Sequence, residues 1–206
     1  NADNRPDIVS TATLAGYFSV FLNNGDGTFA AKTDNYFRHI DSPSTNYDMP
    51  GKPHAIAPAD FNGDGRIDLA ITDYNQGVAV FLNNGSGGFP VRNAALYYSG
   101  RFMSVATGDF NGDGRQDIAL ANDFAQTGLA FPNNATQIVT IYPGAGNGTF
   151  GTGVDFPVGT TGTWTGATSI ASFALSSNTL NGIISTDLLM NLSTSKISPS
   201  GSFDSE

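Results

Sequence analysis

Oxygen-bearing side chains recur at positions 1, 3, 5 and 9 of two nearly identical stretches, "DFNGDGRID" at 60–68 and "DFNGDGRQD" at 109–117. They are Asp60, Asn62, Asp64 and Asp68, then Asp109, Asn111, Asp113 and Asp117. A backbone carbonyl at position 7, from Arg66 or Arg115, is expected to join each set. The spacing wraps a short loop around one point, and the intervening glycines permit the curvature. Hard carboxylate, amide and carbonyl oxygens in a flexible shell of six to eight suit Ca2+, whereas Mg2+ demands a near-ideal octahedron and keeps its waters. Two like unit charges about 4 Å apart repel by roughly 4 kcal/mol at an effective dielectric of 20, so three carboxylates in one loop favour a bound dication. The opening "NADNRPDIVS" matches "NGDGRIDLAI" at 62–71 in its Asn, Asp, Arg and second Asp. Asn1, Asp3, Arg5 and Asp7 therefore read as a half loop, a partial metal site without its leading Asp.

Other reactive-looking features carry less. "NNGDGTF" and "NNGSGGF" hold one acid or none and read as turns. "GAGNG" at 144–148 lacks the Lys-Ser/Thr ending of a phosphate loop and occupies a turn slot. His39 and His54 are the only histidines and Cys is absent, so neither a thiol nucleophile nor a Ser-His-Asp order is in view, and no catalytic residue is expected. A lone His in such a chain reads as a surface or satisfied residue. Trp164, Tyr97, Tyr98 and Phe102 could stack sugars but fit a β core better. Asn84, Asn134, Asn147 and Asn191 match the short glycosylation acceptor pattern, with Asn134 best placed in a long loop.

The elements that hold these loops are short strands. Of the 18 acids only Glu206 is Glu; the rest are Asp, which favours turns and metal loops over helix interiors. No long stretch shows helical spacing of apolar residues, and four- to eight-residue apolar runs are bounded by Asn, Asp and Gly. The expected class is all-β. Three signals recur in order: an apolar stretch into the Asp loop ("HAIAPADF", "SVATGDF"), a second after it ("DLAITDY", "DIALAND"), and a third ending in a glycine turn and Phe ("FSVFLNNGDGTF", "VAVFLNNGSGGF", "VTIYPGAGNGTF"). With a fourth strand after each Phe, every unit is one small antiparallel sheet that must stack on neighbours to bury its faces. The whole chain, 1–206, reads as a single repeat domain with units at about 1–53, 54–101, 102–166 and 167–206. The first unit is truncated, the fourth keeps the apolar pattern of "SVATGDFNGDGRQDIALA" but none of its loop acids, and the Ser-rich tail fits a disordered terminus or a last strand equally. Stretches 38–53 and 124–135 are insertions, where partner specificity is expected.

The pattern D-x-N-x-D-G-x-x-D, an apolar strand and then "FLNNGDGTF"-like turns resembles the FG-GAP/VCBS repeats, the calcium-binding blades of integrin α-subunit propellers among them. The resemblance covers about 165 residues. It implies a β-propeller-type fold, Ca2+ as a clip within each blade, an exported or cell-surface location, and adhesion, recognition or surface assembly without catalysis. Alternatives of other kinds are an accessory carbohydrate-binding domain of a polysaccharide-active enzyme and a subunit of an extracellular filament. Four units fall short of the usual seven or so, which leaves a fragment, a compact ring, or sheets completed by another copy through the incomplete terminal units. The net charge of −9 argues against nucleic acid and anionic membranes as partners. No apolar run near 18 residues suggests a membrane span, and the start at Asn1 reads as that of a processed or excised piece.

Overall fold

The computed structural model describes residues 1, 3–37, 51–74, 77–90, 92–97, 101–123, 137–157, 167–174, 181–187, 192–197 and 203–205. His39, Tyr98, Asn134, Trp164 and Asn191 lie outside them, as do nearly all of the two insertions. The all-β expectation holds: fifteen strands and no helix occur among the described residues.

The strands form four antiparallel meanders. The first sheet holds β1 (Ile8–Ala12), β2 (Tyr17–Phe21) and β3 (Thr33–Tyr36). The second holds β4 (Pro53–Ala59), β5 (Asp68–Asp73), β6 (Gly77–Phe81) and β7 (Arg92–Tyr97). The third repeats this with β8 (Arg101–Gly108), β9 (Asp117–Asp123), β10 (Gln137–Tyr142) and β11 (Val154–Pro157). The fourth holds β12 (Ala167–Ala174), β13 (Asn181–Asp187), β14 (Leu192–Ile197) and β15 (Phe203–Ser205), the last two taken from the Ser-rich tail. Each complete Asp loop joins the first two strands of its sheet, and Ala59 pairs with Asp68 as Gly108 pairs with Asp117.

Strand periodicity explains how one sheet serves two interfaces. In β5, Leu69 and Ile71 enter the core shared with the first sheet, while Ala70 enters the core shared with the third. In β6, Ala79 and Phe81 face one way, and Val78 and Val80 the other. Every residue of both strands is buried. Alternation of apolar with apolar, where a solvated sheet would alternate apolar with polar, is the mark of a sheet sandwiched between neighbours. Phe18 meets Phe81 and Phe89 edge-on at 5.0 and 5.9 Å across the first interface. A third cluster joins Ala106, Phe110 and Val139 to Ile170 of the fourth sheet. Phe102 is fully buried in the core between second and third sheets, as the core reading of this aromatic requires.

Hydroxyls fasten the sheets where strands cross. Thr11 and Thr13 donate to the His54 and Pro53 carbonyls at 3.0 and 2.7 Å, and Thr107 donates to the Pro58 carbonyl at 3.1 Å. Sheet contacts run in series, first to second, second to third and third to fourth. The array is propeller-type, but the described residues do not close it into the compact ring that the sequence left open.

Candidate metal centre

The Asp loops fold through their own carboxylates. Asp60 Oδ1 accepts the backbone N–H groups of Gly63 and Asp64 at 2.8 and 3.2 Å, and its Oδ2 accepts that of Gly65 at 2.8 Å. Asp109 does the same for Gly112, Asp113 and Gly114 at 2.7, 3.0 and 2.8 Å. Asn62 and Asn111 close Asx turns on the N–H groups of Asp64 and Asp113. Asp64 and Asp113 repeat the move on Arg66 and Arg115, each N–H donating at 2.9 Å. Positive φ at Gly65 and Gly114, 81° and 82°, bends the chain at position 6. In the half loop Asn4 stands there at φ 62°, Asn being among the few side-chain residues that tolerate this region.

The half loop keeps this geometry without a leading Asp. Asp3 N–H donates to Asn1 Oδ1, Arg5 N–H donates to Asp3 Oδ1 at 2.9 Å, and the Arg5 guanidinium pairs with Asp3 as that of Arg66 pairs with Asp64.

The acid at position 9 has a task that spacing did not reveal. Asp68 is fully buried; its Oδ2 accepts the N–H of Phe61, at the start of the loop, and its Oδ1 that of Asn83, at the start of the glycine turn. Asp117 is equally buried and accepts from Phe110 and Gly144. Asp7 accepts from Asn23 at 2.8 Å. One carboxylate thus pins the Asp loop to the hairpin turn three times over. The available signal was its place directly before the apolar run "LAI" of a strand flanked by sheets, where a carboxylate is buried and so must find donors.

The arginine at position 7 supplies a second tie. Arg66 Nε donates to the Asn83 carbonyl at 3.0 Å and Arg5 to that of Asn24. Its stem lies across a turn glycine: a Cβ at Gly85 would stand 3.2 Å from Arg66 Cδ, and one at Gly146 3.2 Å from Arg115 Cδ. Glycine is required there on two counts, since φ is 85° and 76°.

The acids of each loop influence one another's ionisation. Burial raises the Asp68 pKa, and the charges of Asp64 and Asp60 add to the rise against the N–H donors of Asn83 and Phe61. Asp117 is raised for the same reasons, burial first, with Asp113 and Asp109 contributing. At Asp64 burial also opposes ionisation, but bonds from Asn62 and Arg66 outweigh it and hold the carboxyl below its ordinary value.

Among the described residues no three His, Cys, Asp or Glu side chains converge into a metal-sized group. The donor chemistry nevertheless fits a hard cation. A carboxylate offers about four acceptor positions. Asp60 and Asp64 each use three of them on N–H donors and Asp68 uses two. Each acid of the loop retains capacity for an ion, and Asn62 brings an amide oxygen.

Two grooves flank the loops. One of about 610 Å3 lies between the half loop and the Asp60 loop, bordered by Asp3, Arg5, Arg66 and Phe89. The other, about 710 Å3, separates the Asp60 and Asp109 loops beside Pro58, Arg115 and Gly146. Ile67 borders both grooves and is 54% exposed.

Comparison with protein families follows the same repeat. The FG-GAP-like repeat matches residues 1–71 and again 60–120, and the FG-GAP repeat matches 102–142. The chain belongs to the FG-GAP-like repeat family. No curated protein matches it. The FG-GAP matches take in the half loop and both complete loops, and stop before the fourth sheet.

His54 lies at the edge of the interface between the first and second sheets, where Thr11 donates to its backbone carbonyl. It is half-buried on β4, its ring is tilted 43° to that of Tyr74 with centroids 5.6 Å apart, and its Nδ1 is buried without a hydrogen-bond partner among the described residues. The turn reading of "NNGDGTF" agrees with the geometry: Asp26 Oδ1 accepts both the N–H and the hydroxyl of Thr28.

Proposed function

We propose that this chain is a non-catalytic, extracellular FG-GAP/VCBS-type module in which Ca2+ stabilises the blades, used for adhesion, recognition or surface assembly. Its family consists generally of non-catalytic modules. The observation that carries the calcium reading is the buried carboxylate at position 9, held at the junction of loop and turn in the field of two further acids. Asp60, Asn62, Asp64, the Arg66 carbonyl and Asp68 would hold one ion; Asp109, Asn111, Asp113, the Arg115 carbonyl and Asp117 would hold the other. A cation there neutralises repulsion that the fold otherwise carries.

Thermal unfolding with Ca2+ and with a chelator tests this. A ligand at 100 times its Kd stabilises by about 2.7 kcal/mol per site. For a domain of this size each kcal/mol moves Tm by roughly 2–4 °C. Asp64→Ala and Asp113→Ala are each expected to abolish one site and about half of the shift. A midpoint that ignores Ca2+ in the parent protein refutes the reading.

A further inference from the structure

The dipeptide Asn-Gly occurs six times, at 24–25, 62–63, 84–85, 111–112, 147–148 and 181–182. It is the sequence most prone to spontaneous deamidation, because glycine has no Cβ to hinder its own backbone nitrogen. That nitrogen attacks the Asn side-chain carbonyl carbon and a C–N bond forms. The bond to the side-chain nitrogen breaks, and ammonia leaves with the proton given up by the glycine N–H. Water then opens the five-membered imide to Asp or isoaspartate. No oxidant or cofactor takes part.

In the first five of these steps the attacking N–H is already committed. Gly63 donates to Asp60 at 2.8 Å and Gly112 to Asp109 at 2.7 Å. Gly25 and Gly85 donate to the amide oxygens of Asn23 and Asn83, both at 2.8 Å. Gly148 donates to the carbonyl of Phe61, in the neighbouring Asp60 loop, at 2.9 Å. The two steps inside the Asp loops differ from the rest, since their acceptor is a carboxylate. Removing a proton from an N–H that points at an anion sets two negative charges side by side, which the site opposes. The electrophile is held too: Asn62 Nδ2 donates to Asp64 and Asn111 Nδ2 to Asp113, at 2.8 and 3.1 Å.

We infer that Asn62 and Asn111 are latent deamidation sites, each locked by the leading Asp of its own loop. Opening the lock is irreversible in consequence. Asp at position 3 adds a fourth carboxylate to the loop, and isoaspartate adds a backbone carbon to a closure that depends on consecutive Asx turns. The inference does not depend on Ca2+, so its test is run in chelator, where failure of the metal reading has no bearing on it.

Parent protein, Asp109→Ala and Asp109→Asn are incubated at mildly alkaline pH, beside parent protein unfolded in urea, and mapped by peptide mass spectrometry with isoaspartate detection. In the folded parent Asn111 is expected to convert at least about tenfold more slowly than in urea, the factor that one charge-assisted hydrogen bond supplies. Asp109→Ala is expected to release Asn111 while Asn62 stays locked, and that selectivity separates a lost lock from lost folding. Asp109→Asn retains the loop's shape and an acceptor oxygen, and should speed Asn111 alone by a smaller factor. Conversion of Asn111 in the folded parent as fast as in urea overturns the inference, as does a rate at Asn111 that neither variant raises above that at Asn62.

Discussion

Asp68 and Asp64 belong to the same loop, yet their removal should have different signatures. Asp68→Ala leaves the N–H groups of Phe61 and Asn83 without their acceptor in a buried site, each a loss of roughly 1–3 kcal/mol. The variant is expected to lose about 2–6 kcal/mol of stability by urea titration in chelator as well as in Ca2+. Asp64→Ala removes a solvent-facing acceptor of the Arg66 backbone N–H, the Asn62 amide and the Arg66 guanidinium, groups that water can satisfy in its place. Its loss should therefore be small in chelator and much larger with Ca2+ present. A chelator-state stability equal in the two variants would contradict the buried role of Asp68. The sequence marked both residues as oxygen donors, because spacing along a loop is readable one residue at a time. It could not distinguish them, since burial at position 9 is imposed by the sheets on either side.

At the scale of elements, the glycine turn and the Asp loop act as one unit clasped by Arg66. Gly85→Ala forces a left-handed φ on a residue with a Cβ and drives that Cβ toward the Arg66 stem. A cost of about 1–2 kcal/mol or more is expected from the backbone alone. Phe18→Ala empties the edge-on cluster with Phe81 and Phe89 and should cost about 3–5 kcal/mol, read from the same urea titration. The strands themselves were legible: four- to eight-residue apolar runs between Asn, Asp and Gly clusters became β4 to β6 and β8 to β10. Which face of each strand meets which neighbour was not legible, because Leu69, Ala70 and Ile71 are all apolar and their alternation is invisible in a binary pattern.

The whole molecule is a series of sheets whose stability resides in the interfaces, and one of these carries a titratable group. Tyr142 sits in the core between the second and third sheets, where burial, with the charge of Asp155 adding, pushes its hydroxyl up to about 12 from 10.0. A raised folded pKa means full stability below the unfolded value, lost as pH rises from about 10 toward 12. The loss reaches about 3 kcal/mol. Tyr142→Phe is expected to remove that part of the alkaline limb while leaving unfolding at neutral pH nearly unchanged; an identical alkaline limb in the variant would contradict it. The sequence by itself determined the repeat, the all-β class and the oxygen-donor loops, because each is written in local spacing and in the backbone preferences of Asp, Asn and Gly. Only the tertiary structure decided that Asp68 and Asp117 are buried staples, that Arg66 lies across Gly85, and that the sheets stack in series. Those facts rest on contacts between residues far apart in the chain, where burial and hydrogen-bond satisfaction, and not residue type, select the arrangement.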